Sequence, residues 1–301
     1  MPGIFSYIFS IEFVQAVIRM STPLLFVAMA AVIGAHADVL CIAFEGVMLC
    51  AALGGVLASG YTGSLLLGML VGLLSGLIIT GIFAYFVLVL HAEQMLSGLA
   101  LNLFAGGITV TLLYAFTGSK TSSVGLPSLS FPQVSIPGIK DIPVIGSILS
   151  GQNVLTYLAF VCVFVVHIIL YKTRFGLRVR SVGEAPHAAE AVGINVVRVK
   201  FSALMISGVL ASFGGMFMSM GYLNAFTRDM ISGRGFIGIA AQSLGFGYPI
   251  LTGIWTLIFG VATAVGNAAQ GFGMSSQLAT MLPYVITIVG LVLAGMKKKT
   301  K

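Results

Sequence analysis

The sequence predicts an all-α, polytopic helical membrane protein of about nine or ten spans, and three observations predict it. Hydrophobic residues make up 58% of the chain and charged ones 8%, with a mean hydropathy of +1.09; a soluble protein carries about a quarter charged residues. Several apolar runs exceed the roughly 20 residues that cross a bilayer as a helix, and they lack the alternation of an outer-membrane barrel. The 38 glycines include Gly68, Gly72 and Gly76 at four-residue spacing, which lets helices approach closely. The whole chain, 1–301, reads as one transmembrane domain.

The spans arrange themselves around residues 171–200, the one long polar segment with a strong sign of charge. It holds Lys172, Arg174, Arg178, Arg180, Arg198 and Lys200 against Glu184 and Glu190. Lys and Arg in short loops beside membrane spans stay cytoplasmic, so this loop is expected inside, with the tail Lys297, Lys298, Lys299 and Lys301. Its middle predicts a short helix. Pro186 suits a first helical position, Ala188, Ala189 and Ala191 are strong helix formers, and Gly193 can supply a left-handed residue after the last turn. About two turns cannot stand alone in water, so the helix needs a surface, either this protein's own base or a partner.

Taken in order, a first span covers residues 12–35, with Pro23 removing one backbone hydrogen bond and bending it. The second, 39–59, follows His36 and Asp38 and carries Glu45 deep in an apolar run, where a carboxylate is costly and normally retained for a purpose. Spans follow at 65–90 and 94–116. Residues 117–151, with Pro127, Pro132, Pro137 and Pro143, are too rich in proline for a helix and form an extracytoplasmic loop. Spans at 153–170 and 201–222 flank the basic loop. After a polar turn holding Asn224, Arg228, Asp229 and Arg234, residues 235–246 read as a half-helix or short buried span. Spans at 250–269 and 278–294 bring the count to nine crossings, with the N-terminus outside. A span, a polar turn with Asp38 and a short helix recur as a span, a polar turn with Asp229 and a short helix. That is the pattern of an inverted repeat with interrupted helices.

Motifs for enzymatic chemistry are weak. Gly233, Gly235 and Gly238 spell GxGxxG but follow no strand, so no dinucleotide site is expected. GSKT at 118–121 lacks the first half of a P-loop; if ATP drives the protein, another chain hydrolyses it. Cys41, Cys50 and Cys162 lie in apolar surroundings without metal or disulfide spacing. The histidines His36, His91, His167 and His187 form no catalytic set. The net charge of +7 follows from topology and indicates no nucleic-acid partner. No cofactor, no metal and no catalytic residue is expected. The N-terminal residues lack the layout of a removable signal peptide. Glu45 has two readings: a cap for free backbone N–H groups at the start of a broken helix, or the lining of a polar pathway. Asn102 suits interhelical hydrogen bonding.

At this point the residues carry a resemblance. VGEAPHAAEAVGI, preceded by TRFGLRVRS, resembles the coupling segment of permease subunits of ATP-binding-cassette importers in the branched-chain amino acid, simple sugar and nucleoside permease family. DVLCIAFEGVML resembles that family's second-span motif, with Cys41, Ile42 and Ala43 where Asn-Ile-Gly is usual; STPLL at 21–25 and GRGFIGIAA at 233–241 also fit. The resemblance covers about residues 12–295 and leans to the nucleoside branch. It implies a multi-pass protein of a bacterial cell (inner) membrane with residues 171–200 and the C-terminus cytoplasmic. It also implies a second permease subunit, a separate ATPase and an extracytoplasmic substrate-binding protein. The ATPase-coupling residues it points to are Arg178, Arg180, Glu184, Ala185, Pro186, Ala188, Ala189, Glu190 and Gly193. Phe44, Glu45, Asn102 and Phe104 are the expected pathway wall for a small neutral solute. The rival is a proton-coupled secondary transporter using Glu45 as its relay; a channel comes third.

Overall fold

The computed structural model describes residues 10–126, 128–134 and 150–271, together with 275, 277–278, 281–286, 288, 290 and 292. The N-terminal residues before Ser10, Pro127, Pro137 and Pro143 of the proline-rich loop, and the lysine tail lie outside the described residues.

The helices are α1 (Ile11–His36), α2 (Phe44–Thr62), α3 (Leu65–Leu88), α4 (Gln94–Thr117), α5 (Val154–Lys172), α6 (Arg174–Glu184), α7 (Pro186–Ala191), α8 (Val196–Met216), α9 (Arg234–Leu244) and α10 (Pro249–Gly271). A π-helical turn, Phe217–Tyr222, continues α8. Strands β1 (Gln133–Val134) and β2 (Gln152–Asn153) pair antiparallel in the proline-rich loop. Local chemistry sets the boundaries. Ser10, Ser64, Asn153 and Asn195 accept backbone N–H groups at the starts of α1, α3, α5 and α8, each supplying a bond the first turn otherwise lacks.

Seven helices are long and apolar enough to cross a membrane among the described residues: α1 to α5, α8 with its π-turn, and α10. The chain is polytopic and helical as expected, but nine or ten spans are not found. The segment expected at 235–246 is the 11-residue α9, about 16 Å at 1.5 Å per residue against a hydrocarbon core of about 30 Å. The segment expected at 278–294 lies only partly within the described residues. The basic segment is also more helical than expected: α6 precedes α7, folded back on α5 where Thr173 Oγ1 accepts from Gly176 N at 3.1 Å.

Helix α1 is the axis. Residues 20–34 are buried without interruption, enclosed by α5, α8, α9 and α10. Helix α8 packs on α1, α2 and α3, and α2 packs on α3 and α4. Glycine makes these crossings close. A Cβ on Gly68 would meet the Gly55 carbonyl at 2.9 Å, one on Gly72 the Ala51 carbonyl at 3.0 Å, and one on Gly76 would overlap Ser212. The Gly68–Gly72–Gly76 stripe therefore lets α3 settle between α2 and α8. Gly215 of α8 lies against the Met48 carbonyl of α2 with no room for a methyl group. By contrast α4 is mostly exposed along its length, Leu103 at 79%, as befits a helix facing lipid or another subunit.

Gly215→Ala should lower the melting temperature of the detergent-solubilised protein, overpacking of this kind costing about 1–3 kcal/mol. Gly107→Ala, where nothing lies within 4 Å of the added carbon, should leave it unchanged; equal melting of both variants would contradict this packing.

Candidate functional site

Two helices begin next to each other inside the bundle, and each is capped by a side chain from elsewhere. After His36 the chain doubles back, with Asp38 in a left-handed conformation (φ 54) and Val39 N donating to Gly34 O at 3.0 Å. It then climbs without helical structure to Ala43 and starts α2 at Phe44. On the other side, residues 223–233 run down from α8 through Asp229 (φ 57) and Gly233 (φ 80) to start α9 at Arg234. The middle of α9 lies alongside the middle of α1, since a Cβ on Gly238 would touch Val27 and Ala28.

Glu45, in the first turn of α2, spends both carboxylate oxygens on the start of α9. Oε1 accepts from Gly233 N at 2.7 Å and Oε2 from Gly235 N at 2.8 Å. These N–H groups have no intrahelical partner, and the N-terminal end of the helix dipole favours an anion. The side chain is 8% exposed. Asn102, on α4, does the equivalent for α2: its Oδ1 accepts from Gly46 N at 2.8 Å while its Nδ2 donates to Ile42 O at 3.0 Å. One carboxamide thus closes both sides of the break before α2. Of the two readings of Glu45, the geometry is that of the cap.

Phe44 and Phe104 do not join this pair. Phe44 is 1% exposed, in the core, whereas Phe104 is 51% exposed and lines an apolar cavity of about 310 Å³ with Leu53, Ile79 and Ile108. Glycines 233 and 235, weighed in the sequence as part of a nucleotide loop, do bind an anion through their N–H groups, and it is the protein's own carboxylate. Arg234 was missed as a site residue. Its Nη1 donates to Met230 O at 3.2 Å and Ile231 O at 2.9 Å, tying the guanidinium to the turn before α9. An arginine between two glycines after a polar turn was the available signal.

At the basic end, α6 packs on α1 and α5, and α7 packs on α6 and α8. Gly183 sits against the His36 carbonyl without room for a side chain. Lys200 Nζ pairs with Asp38 Oδ2 at 3.4 Å. Arg180 lies over the Tyr171 ring, 4.9 Å from its centroid, and Tyr171 also meets His36, His167 and Tyr248. The expected coupling residues therefore divide. Arg180 and Ala189, the latter 3% exposed, face this protein; Arg178, Glu184, Ala185, Ala188, Glu190 and Gly193 are open to solvent, and Pro186 is half-buried. Pro186 occupies the first turn of α7 and Gly193 has φ 83, as the sequence led one to expect. Among the described residues no group of three His, Cys, Asp or Glu side chains could hold a metal ion.

Glu45→Ala should destabilise the fold by on the order of 2–6 kcal/mol, leaving the half-buried Gly233 N–H and the buried Gly235 N–H without acceptors at about 1–3 kcal/mol each. Glu45→Gln, which keeps one acceptor, should fall between. Hydrogen exchange at Gly233 and Gly235 checks the cause: unchanged protection in Glu45→Ala would refute the cap.

Comparison with known proteins now places this architecture. Residues 13–291 match the family model described as branched-chain amino acid transport system / permease component. The nucleoside ABC transporter permease protein NupC of Lactococcus lactis subsp. cremoris is 34% identical over 284 residues, covering 91% of this chain and 89% of that protein. The guanosine ABC transporter permease protein NupQ of Bacillus subtilis is 34% identical over 290 residues, covering 92% and 90%. The putative glucose ABC transporter permease protein TsgC13 of Haloferax volcanii is 27% identical over 306 residues, covering 94% and 91%. No solved structure matches the chain. With a model matched over nearly its whole length and relatives aligned end to end, the chain belongs to the branched-chain amino acid transport system / permease component family.

Proposed function

We propose that this chain is the membrane-spanning permease subunit of an ATP-driven importer, carries nucleosides, and is driven through the segment 171–200 by a separate ATPase. The observation that carries the reading is the end-to-end similarity to a nucleoside permease and a guanosine permease, joined to the exposed surface of α7 and its flanks. His187, Ala188, Glu190 and Ala191 are exposed, and beside them Val192 is 76% exposed and Leu177 61%. Apolar side chains set among charged ones on an otherwise polar end suit a protein partner. The ATPase would seat α7, and a second permease and an extracytoplasmic binding protein would complete the assembly. In this orientation α6, α7 and the C-terminus face the cytoplasm and the β1–β2 loop faces the binding protein, in a bacterial inner membrane.

Glu45 fits this reading better than it fits a proton relay. Both of its oxygens are engaged by fixed backbone donors, so its protonation would break the start of α9 rather than pass a proton along a chain of carriers.

Two measurements on the assembled transporter test the proposal. Ala188→Asp and Val192→Asp, both on the exposed side, should reduce uptake of radiolabelled nucleoside at least tenfold and abolish stimulation of the ATPase, with normal membrane insertion. Wild-type uptake in both variants would remove the docking surface, and failure of the wild-type assembly to take up any nucleoside would remove the substrate class. A third measurement addresses the rival: ATP-free vesicles under a proton gradient should accumulate no solute.

A further inference from the structure

A cavity of about 310 Å³ opens beside the start of α9, lined by Ser232, Arg234, Ile237, Thr263, Asn267 and Tyr284 among others. It opens where α9 and α10 meet α1. Asn267 Nδ2 is 3.6 Å from Met20 Sδ of α1, and Arg234 stands between the two glycines that Glu45 holds. Asn267 is exposed, Tyr284 is 44% exposed and Arg234 is only partly buried. Where such a bundle crosses hydrocarbon, an open guanidinium and carboxamide are too costly to face lipid; such groups face a water-filled path or a partner subunit.

The polar atoms are arranged for a ligand. Arg234 Nη1 is spent on Met230 O and Ile231 O, which holds the guanidinium plane; Nε and Nη2, a fork of parallel donors, make no hydrogen bond among the described residues. Asn267 donates only to a thioether sulfur, a weak acceptor, and its Oδ1 has no partner among the described residues. The formal charges of Glu45 and Arg234 cancel locally, so the site suits an uncharged molecule. Its volume is at the small end of ligand pockets, about 300–1,000 Å³.

Resting on the reading of this chain as a nucleoside permease, we infer that this cavity is an intramembrane subsite for the base of a 6-oxopurine nucleoside. The Arg234 fork donates to O6 and N7, the pairing arginine makes with guanine in nucleic acids. The Asn267 carboxamide accepts from a base N–H, and the exposed Tyr284 ring offers a face for stacking. An adenine base presents an amino group where the fork needs an acceptor, so adenosine is handled less well.

The test is uptake into proteoliposomes holding the complete transporter, with binding protein saturated by radiolabelled guanosine or by radiolabelled adenosine. Wild type should move guanosine about tenfold faster than adenosine, one bidentate pair being worth about that factor. Arg234→Lys should lose most of that preference while the loaded binding protein still stimulates the ATPase. If Arg234→Lys does not insert, Asn267→Ala, on an exposed face of α10, decides by the same readout. An inserted, ATPase-competent variant of either kind with the wild-type guanosine to adenosine ratio overturns the subsite alone. A wild type that carries no nucleoside overturns the proposed function, and the subsite with it.

Discussion

The structure depends on the satisfaction of backbone donors where two helices start inside the bundle. A helix start leaves its first N–H groups unpaired, and hydrocarbon offers them nothing. Helices α2 and α9 both start in this way, close enough that the first turn of one caps the other. Glu45 accounts for the α9 donors and Asn102 for one of the α2 donors. The chain can afford two breaks because each break has its acceptor. What the breaks supply is polar backbone and an oriented arginine at a depth where unbroken helices would present only side-chain carbon.

Around this centre the packing is set by glycine. Helix α1 is buried from residue 20 to 34 because α8, α9 and α10 reach it through positions without side chains: Gly214 near the Pro23 carbonyl, Gly238 at Val27 and Gly260 at Ser21. In a membrane there is no hydrophobic force between helices, so close van der Waals contact and interhelical hydrogen bonds carry the association. Ser207 Oγ to Ala30 O at 2.9 Å and Ser219 Oγ to Ala52 O at 3.0 Å are two such bonds from α8 and its π-turn. Helix α4 meets the bundle along one narrow face, through Asn102, Gln94 and Ala105, and leaves the rest of its surface open.

Much of this was legible in the sequence, and the limits were physical. Apolar run length located α1, α3, α4 and α10 to within a few residues, because spanning a bilayer imposes a length. The pattern Pro186, Ala188, Ala189, Gly193 located α7, because capping chemistry is local. Residues 39–43 were read as helix because they are apolar, yet they run without helical structure and leave α2 to start at Phe44. Hydropathy carries no information on where a helix breaks. The 235–246 segment was recognised as short and then counted as a crossing, which inflated the total. The pairing of Glu45 with Gly233 and Gly235 spans about 190 residues of sequence, and no local pattern announces a contact of that range. Phe44 and Phe104 were grouped with Glu45 by proximity in sequence to polar residues, but helical geometry turns the two rings to opposite surroundings.

Helix α9 is held at both ends, and this gives the proposed coupling a contiguous physical route. Its start is fixed by Glu45. Past its end, Gly247 O accepts from His36 Nε2 at 3.1 Å, and Tyr248 stacks on Tyr171 with an interplanar angle of 6°. Tyr171 in turn lies beneath Arg180 of α6, whose Nε is buried without a hydrogen-bond partner among the described residues, so its charge leans on the ring. A cation over an aromatic face contributes about 0.5–2 kcal/mol depending on desolvation. From α7 through α6 to Tyr171, His36 and Gly247 every step is a packed contact, and the last of them ends on the helix that carries Arg234. A two-turn helix alone could not displace a membrane span. Through this stack it is joined by packed contacts to the ends of α1, α5 and α9.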